Sequence, residues 1–222
     1  MRPLPLLLPL LLLSACSTMP TPDAPDPQKE TRGSVPNWSG GAGTVKLVVE
    51  DQTLSSAPIS AAGKFTLPLP TASVLTGLGV RAADYPAFAE GCTRDVQVSA
   101  SEVRLVVVPS LDVQTAQGGV QTLSRFEQSH DAVLDASNST QDLLVYASGE
   151  TQIYGDVSCA ATQKRASYSL LLRLNPGWNT VRLTQSLLNS TSGGLRAVTQ
   201  FVSLPINVNT TWTVGSLHPL SR

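Results

Sequence analysis

Apolar and polar residues alternate with a period of two along much of the chain, which is the pattern of strands that bury one face. GTVKLVVE (43–50) and KFTL (64–67) show this alternation, and a short strand is expected near Val80. The strongest strand signal is EVRLVVVPSLDVQT (102–115). Its uninterrupted apolar run at 105–108 predicts a strand that is buried on both faces, and Pro109 should end or bend it.

The second half of the chain predicts two β-hairpins. DLLVYASGETQIYGDVSC (142–159) has two strand-like runs joined by a Ser-Gly-Glu turn, and ASYSLLLRLNPGWNTVRLTQ (166–185) has a second pair. Residues 175–178 place proline and glycine where a type II turn requires them, so Gly177 is expected at positive φ. LRAVTQFVSLP and NTTWTVGS supply two further strands.

The alternation also assigns two faces to the second of these hairpins. The residues expected to face the core are Leu170, Leu172, Leu174, Val181 and Leu183. The residues expected on the opposite face are Ser169, Arg173, Thr180 and Arg182. Leu171 is an apolar residue on that polar face, which implies either cover from another element or a partner surface.

LSRFEQSHDAVLDASNST (123–140) follows neither period, and we expect a short helix or a loop between sheets there. The other patterns predict an all-β fold. We expect an antiparallel β-sandwich made of one large or two small β subdomains, divided into residues 44–115 and 116–222.

The first residues form an apolar run at 4–13 after Arg2. Such a run spans about 15 Å as a helix, which is about half of a bilayer core, so we expect a signal peptide at 1–15. Leu13-Ser14-Ala15-Cys16 resembles the lipobox of bacterial lipoproteins, and this resemblance implies that Cys16 carries the lipid. An ordinary signal peptide with a chance cysteine is the alternative.

The segment after Cys16 is rich in Pro, Thr, Ser, Gly and Asp and has few core-forming side chains. We therefore expect residues 16–43 to be a flexible tether between the lipid and the folded part. The lipobox resemblance implies a bacterial cell-envelope location, with the membrane as a partner through Cys16. Ser17 favours the outer membrane or the cell surface over the inner membrane, where an Asp at this position often marks retention.

A second resemblance lies in the first strands of the folded part. GTVKLVVE followed by AAGKFTLPLP is similar to an element of carboxypeptidase regulatory-like and other transthyretin-like domains, in which a strand, a turn and a G-x-F-x-L-x-L-P stretch follow one another. The resemblance covers about 30 residues. It implies a β-sandwich.

Cys92 and Cys159 are the two cysteines besides Cys16. An even pair in an exported chain predicts a disulfide, which in the chain-entropy model would stabilise the fold by about 4 kcal/mol. Two buried free thiols are the alternative.

The charge of the chain and its candidate catalytic residues limit the classes of function that we expect. The chain has 15 Lys and Arg, 16 Asp and Glu, and a net charge of −1, without the basic stripe that nucleic-acid binding requires. His130 beside Asp131 is a candidate base, but a solvated loop histidine is the simpler interpretation; the other histidine is His218. No nucleophile elbow, metal-ligand set or cofactor motif occurs, so we expect no enzyme activity, metal or cofactor.

The three tryptophans are Trp38, Trp178 and Trp212. Trp178 and Trp212 are candidates for stacking on a ligand such as a sugar, and packing in the core or against a turn is the alternative. The sequence therefore predicts an anchored envelope lipoprotein with a non-enzymatic structural or protein/polymer-binding role. A carbohydrate- or small-ligand-binding module that uses the tryptophans is the alternative, and an envelope hydrolase with His130 in a cleft is a remote third.

Overall fold

The computed structural model describes residues 28–86, 91–131, 136–161, 164–189, 195–205 and 211–215. The all-β prediction is confirmed, because apart from one α-helical turn and one 3-10 turn every element in these ranges is a strand. The elements are β1 (Glu30–Ser34), β2 (Gly43–Val49), β3 (Gln52–Ile59), β4 (Lys64–Pro68), α1 (Ala72–Leu75), β5 (Val80–Arg81), the 3-10 turn Ala82–Asp84, β6 (Cys92–Val98), β7 (Arg104–Val108), β8 (Leu111–Thr115), β9 (Val120–Asp131), β10 (Ala136–Ala147), β11 (Thr151–Ala161), β12 (Lys164–Leu174), β13 (Gly177–Asn189), β14 (Leu195–Leu204) and β15 (Thr213–Val214).

The strands pair into one mixed sheet of 15 strands with the order β1-β4-β3-β2-β8-β9-β10-β13-β14-β12-β11-β6. β15 pairs with β9, while β7 pairs with β10 and β5. We call β1 to β4 and β8 the N-terminal part, and β10 to β14 with β6 the C-terminal part. All pairings are antiparallel except that of β12 with β14, which is parallel.

β9 joins the two parts, and the expectation of a short helix or a loop over 123–140 is wrong for the described residues of that stretch, 123–131 and 136–140. Val120–Leu123 pairs with β8, and Arg125–Asp131 pairs with β10. The strand escaped the sequence pattern because most of its side chains are polar. It is held by main-chain hydrogen bonds to neighbours on both sides, which do not depend on apolar alternation.

The two predicted hairpins have the right strands and the wrong partners. β12 and β13 leave the turn at Pro176 and diverge, and β14 lies between them. Likewise β10 and β11 are not neighbours, because β10 pairs with β13 while β11 pairs with β12 and β6. The turn itself is confirmed: Gly177 has φ 95°, and the Asn179 amide donates to the carbonyls of Asn175 (2.8 Å) and Gly177 (2.9 Å).

Two clusters of buried side chains hold the fold together. The first cluster combines side chains of the N-terminal part, such as Phe65 and Leu47, with Trp178 and Leu144 at one end of the C-terminal part. The second cluster lies on the side of the C-terminal part away from the first cluster, and we call this side the inner face. Its buried members are Ala82, Leu105, Leu143, Val145, Ala147, Ile153, Val157, Leu170, Leu172, Leu174, Val181 and Phe201.

The predicted tether extends too far along the chain. Its residues 30–34 form β1, which pairs antiparallel with β4 from Glu30 to Ser34. Gly33 explains how so polar a segment reaches the core: a Cβ there would lie 2.3 Å from the Phe65 ring, so only glycine lets the strand approach. Val35 then packs, 4% exposed, in the first cluster.

Strand pairing also crosses the predicted boundary at residue 115. β6 lies at the edge of the C-terminal part beside β11, although its residues precede the boundary. In the other direction, Trp212 packs edge-on against Phe65, with ring centroids 5.7 Å apart. The division into 44–115 and 116–222 stays a prediction.

Candidate binding face

The polar face is the side of the C-terminal part opposite the inner face. It carries three rows of mainly polar side chains. Directly opposed residues of neighbouring strands share a face, so the strand register gives the rows. The first row is Arg125, Asp142, Arg182, Val202, Leu171, Tyr154 and Gln97. The second is Glu127, Thr140, Thr184, Gln200, Ser169, Asp156 and Asp95, and the third is Ser129, Asn138, Ser186, Val198, Ser167, Ser158 and Thr93.

The middle of the first row exposes apolar surface. Leu171 is 66% exposed and Tyr154 is 44% exposed, while Leu170 and Leu172 beside Leu171 on β12 are buried on the inner face. The expected faces of β12 are therefore confirmed, and no described element covers Leu171. The Tyr154 hydroxyl donates to Gln97 Oε1 at 2.6 Å, which fixes the ring across β11 and β6.

The other end of the first row carries charge. Arg182 donates from Nε and Nη2 to the two carboxylate oxygens of Asp142, at 2.7 Å and 3.0 Å. Asp142 is buried, and the Arg182 side chain is 37% exposed. The hydrogen bond with Asp142 is the largest cause that raises the pKa of Arg182, so the Arg182 guanidinium stays charged. Thr180, expected on this face, is 1% exposed and lies opposite Leu144 of β10, a member of the first core cluster.

Arg125 lies on the other side of Asp142 in the same row. It is only 4% exposed, and its guanidinium carbon lies 5.3 Å from the centroid of the Trp212 ring. Its Nε and Nη2 have no hydrogen-bond partner in the part of the chain that the structure describes. Burial lowers the pKa of Arg125, an effect that the Asp142 charge opposes and the Arg182 charge reinforces.

Trp178 and Trp212, the candidate stacking residues, are both in the first core cluster. Trp178 is 4% exposed, donates to the Pro70 carbonyl at 2.9 Å, and contacts Tyr146 edge-on. Trp212 is 2% exposed between Phe65 and Arg125. Stacking on a ligand requires an open ring face, so the packing alternative describes both residues.

The predicted disulfide is confirmed. Cys92 and Cys159 are bonded and are directly opposed on β6 and β11, with 4.3 Å between their Cα atoms. The bond ties the edge strand β6 to the sheet. It therefore also fixes the border of the polar face, because β6 carries Gln97, Asp95 and Thr93.

The other candidate residues divide between exposed and undescribed positions. His130 is exposed on β9, opposite Ser137 of β10, whereas Cys16 and His218 lie outside the described residues. Within the described ranges, no three His, Cys, Asp or Glu side chains group as a metal site would require. The helical segments there are too short to cross a bilayer.

Comparison with known proteins found no match to a family model, to a curated protein or to a solved structure.

Sequence reasoning found Leu171 but missed the charged end of the row. Arg125 stands in a polar stretch whose composition is typical of a solvated segment. The one local signal is the opposed charge of Asp142 and Arg182, and it becomes visible only when β10 and β13 are paired.

Proposed function

We propose that the chain is a lipid-anchored protein of the bacterial cell envelope with a non-enzymatic role, and that it binds another macromolecule of the envelope through the polar face. The observation that carries the proposal is the exposure of Leu171 and Tyr154 in the middle of this face. Exposed apolar side chains that lie together inside a polar surface mark interaction sites in soluble domains.

The chemistry around this apolar centre supports a binding role. The second and third rows present mainly hydroxyl, amide and carboxylate groups, which can donate and accept hydrogen bonds across several strands. This combination of an apolar centre and a polar rim is typical of protein–protein interfaces. The disulfide and the paired strands hold the rows in place, so little ordering entropy is lost on binding.

A polysaccharide is the second candidate partner, and Tyr154 is the observation that favours it. The buried tryptophans leave Tyr154 as the exposed aromatic side chain on the polar face. Gln97 and Asp156, its neighbours across and along the strands, supply amide and carboxylate groups for sugar hydroxyls.

Membrane fractionation tests the anchor. Cys16→Ala should release the protein from the membrane fraction, because the lipobox resemblance assigns the lipid to this residue. A variant that stays with the membranes through a carbonate wash would contradict lipid attachment at Cys16.

Photo-crosslinking in the envelope tests the polar face. A crosslinking amino acid at Ser169, beside Leu171 on β12, should give one defined adduct, and Leu171→Ser with Tyr154→Ser should remove it. Val120→Ser is the matched control, because Val120 is 69% exposed and lies on β9 away from the three rows. Equal adducts in all three proteins would contradict the proposal, and sedimentation with purified cell-wall polymer separates a glycan from a protein partner.

A further inference from the structure

Arg125 is a buried arginine whose guanidinium lacks a hydrogen-bond partner on one edge. Buried charges are normally paired, because leaving water costs several kcal/mol per ion and only a partner offsets it. Arg125 is only 4% exposed, yet its Nε and Nη2 have no hydrogen-bond partner among the described residues. The Trp212 ring contacts the guanidinium at 5.3 Å without satisfying these two N–H groups.

The neighbouring Arg182 shows what these atoms ordinarily bind. Its Nε and Nη2, the same edge of the guanidinium, take the two oxygens of Asp142 at 2.7 Å and 3.0 Å. Asp142 is directly opposed to both arginines in the sheet. The Asp142 carboxylate therefore lies between two guanidinium groups, and it accepts hydrogen bonds from the Nε and Nη2 of Arg182 only.

We propose that the free edge of Arg125 is a binding site for a carboxylate. Two parallel N–H donors on one edge match two carboxylate oxygens, which is the bidentate geometry that arginine favours. Arg125, Asp142 and Arg182 together carry one positive charge, so a single carboxylate neutralises the group. With a carboxylate bound, negative and positive groups alternate along the row: the ligand, Arg125, Asp142 and Arg182. The ligand also gives the buried Arg125 guanidinium the partner that it lacks.

The position of Arg125 indicates where such a carboxylate enters. On β9, Leu123 precedes it on the same face and is buried in the first core cluster, whereas Glu127 follows it and is exposed. Glu127 is therefore the nearest exposed side chain on this strand face, and a carboxylate would approach the buried Nε and Nη2 from there, over the polar face. The Glu127 charge acts on Arg182 and repels an arriving anion, so this residue weakens binding and Glu127→Gln should strengthen it.

Sodium acetate is the probe for this site, and the full chain with Cys16→Ser avoids the anchor. Thermal unfolding is measured in acetate and in chloride at equal ionic strength. Acetate should raise the midpoint of the parent chain, since a ligand of the native state stabilises it. Arg125→Met should abolish the specific rise, which corresponds to binding weakened about ten- to hundredfold by the loss of a charge-assisted pair.

Arg173→Met is the matched control, because Arg173 is an exposed arginine of β12 on the same face as Leu171. It should keep the acetate response of the parent chain. An equal response in Arg125→Met, or no response in the parent chain, would overturn the proposal. If Arg125→Met does not fold, the arginine Nε–H resonances of the parent chain decide: one buried signal should shift with acetate, and none shifting would overturn the site.

Discussion

The inner face and the polar face of the C-terminal part are built by the same strands and differ in what covers them. On β12, Leu170, Leu172 and Leu174 point to the inner face. They are buried in the second cluster, which also contains Leu105 and has Tyr85 packed against it. Leu171 turns to the polar face and keeps 66% of its surface exposed. Alternation along one strand therefore separates residues that hold the fold from residues that remain free for a partner.

The largest effect is expected on the inner face. Leu172→Ala should lower the free energy of unfolding by about 2–5 kcal/mol, because it removes buried apolar surface and leaves a cavity. Equilibrium unfolding in urea measures the change. A loss well below this range would mean that the inner face is not closed around Leu172, and the contrast between the faces would disappear.

The disulfide comes next, because it fixes the edge strand that both faces share. Replacing Cys92 and Cys159 together by serine should cost about 2–4 kcal/mol, chiefly through the entropy of a chain closed over 67 residues. Urea unfolding of the double variant, with non-reducing peptide mapping of the parent chain, checks this. Two free thiols in the parent chain would contradict the pairing.

A smaller effect is expected at the turn between β12 and β13. Gly177 has φ 95°, a conformation that a β-branched residue adopts only with strain, so Gly177→Val should destabilise the fold by about 1–3 kcal/mol. Gly119, which has no positive φ and where an added Cβ would lie 3.4 Å from its nearest neighbour, offers a control position. An unchanged thermal midpoint for Gly177→Val would contradict the turn.

The strands were predictable where the local pattern decides them, and their pairing was not. The alternation around Leu172 gave the correct faces of β12 and β13, and the run ending at Pro109 gave the end of β7. The insertion of β14 between β12 and β13 is a contact between segments distant in sequence. No turn residue or period encodes it, so the sequence predicted a simple hairpin there.

The candidate site divides in the same way. Leu171 was predictable, because one apolar residue interrupted a polar set on a single strand. Arg125 was not, because its importance comes from burial under Trp212 and from its place beside Asp142, which β9 and β10 establish by pairing. The hypothesis that Trp178 stacks on a ligand fails for a related reason. Its ring is buried in the first cluster by packing against side chains distant in sequence.

The smallest expected change tests the central claim most directly. If the polar face is free for a partner and does not hold the fold, Leu171→Ser combined with Tyr154→Ser should leave the free energy of unfolding in urea within about 0.5 kcal/mol of the parent chain. The exposed fractions of the two side chains, 66% and 44%, are the reason. A loss of about 2 kcal/mol or more, which is typical of buried apolar positions, would show that another element covers this face and would contradict the account.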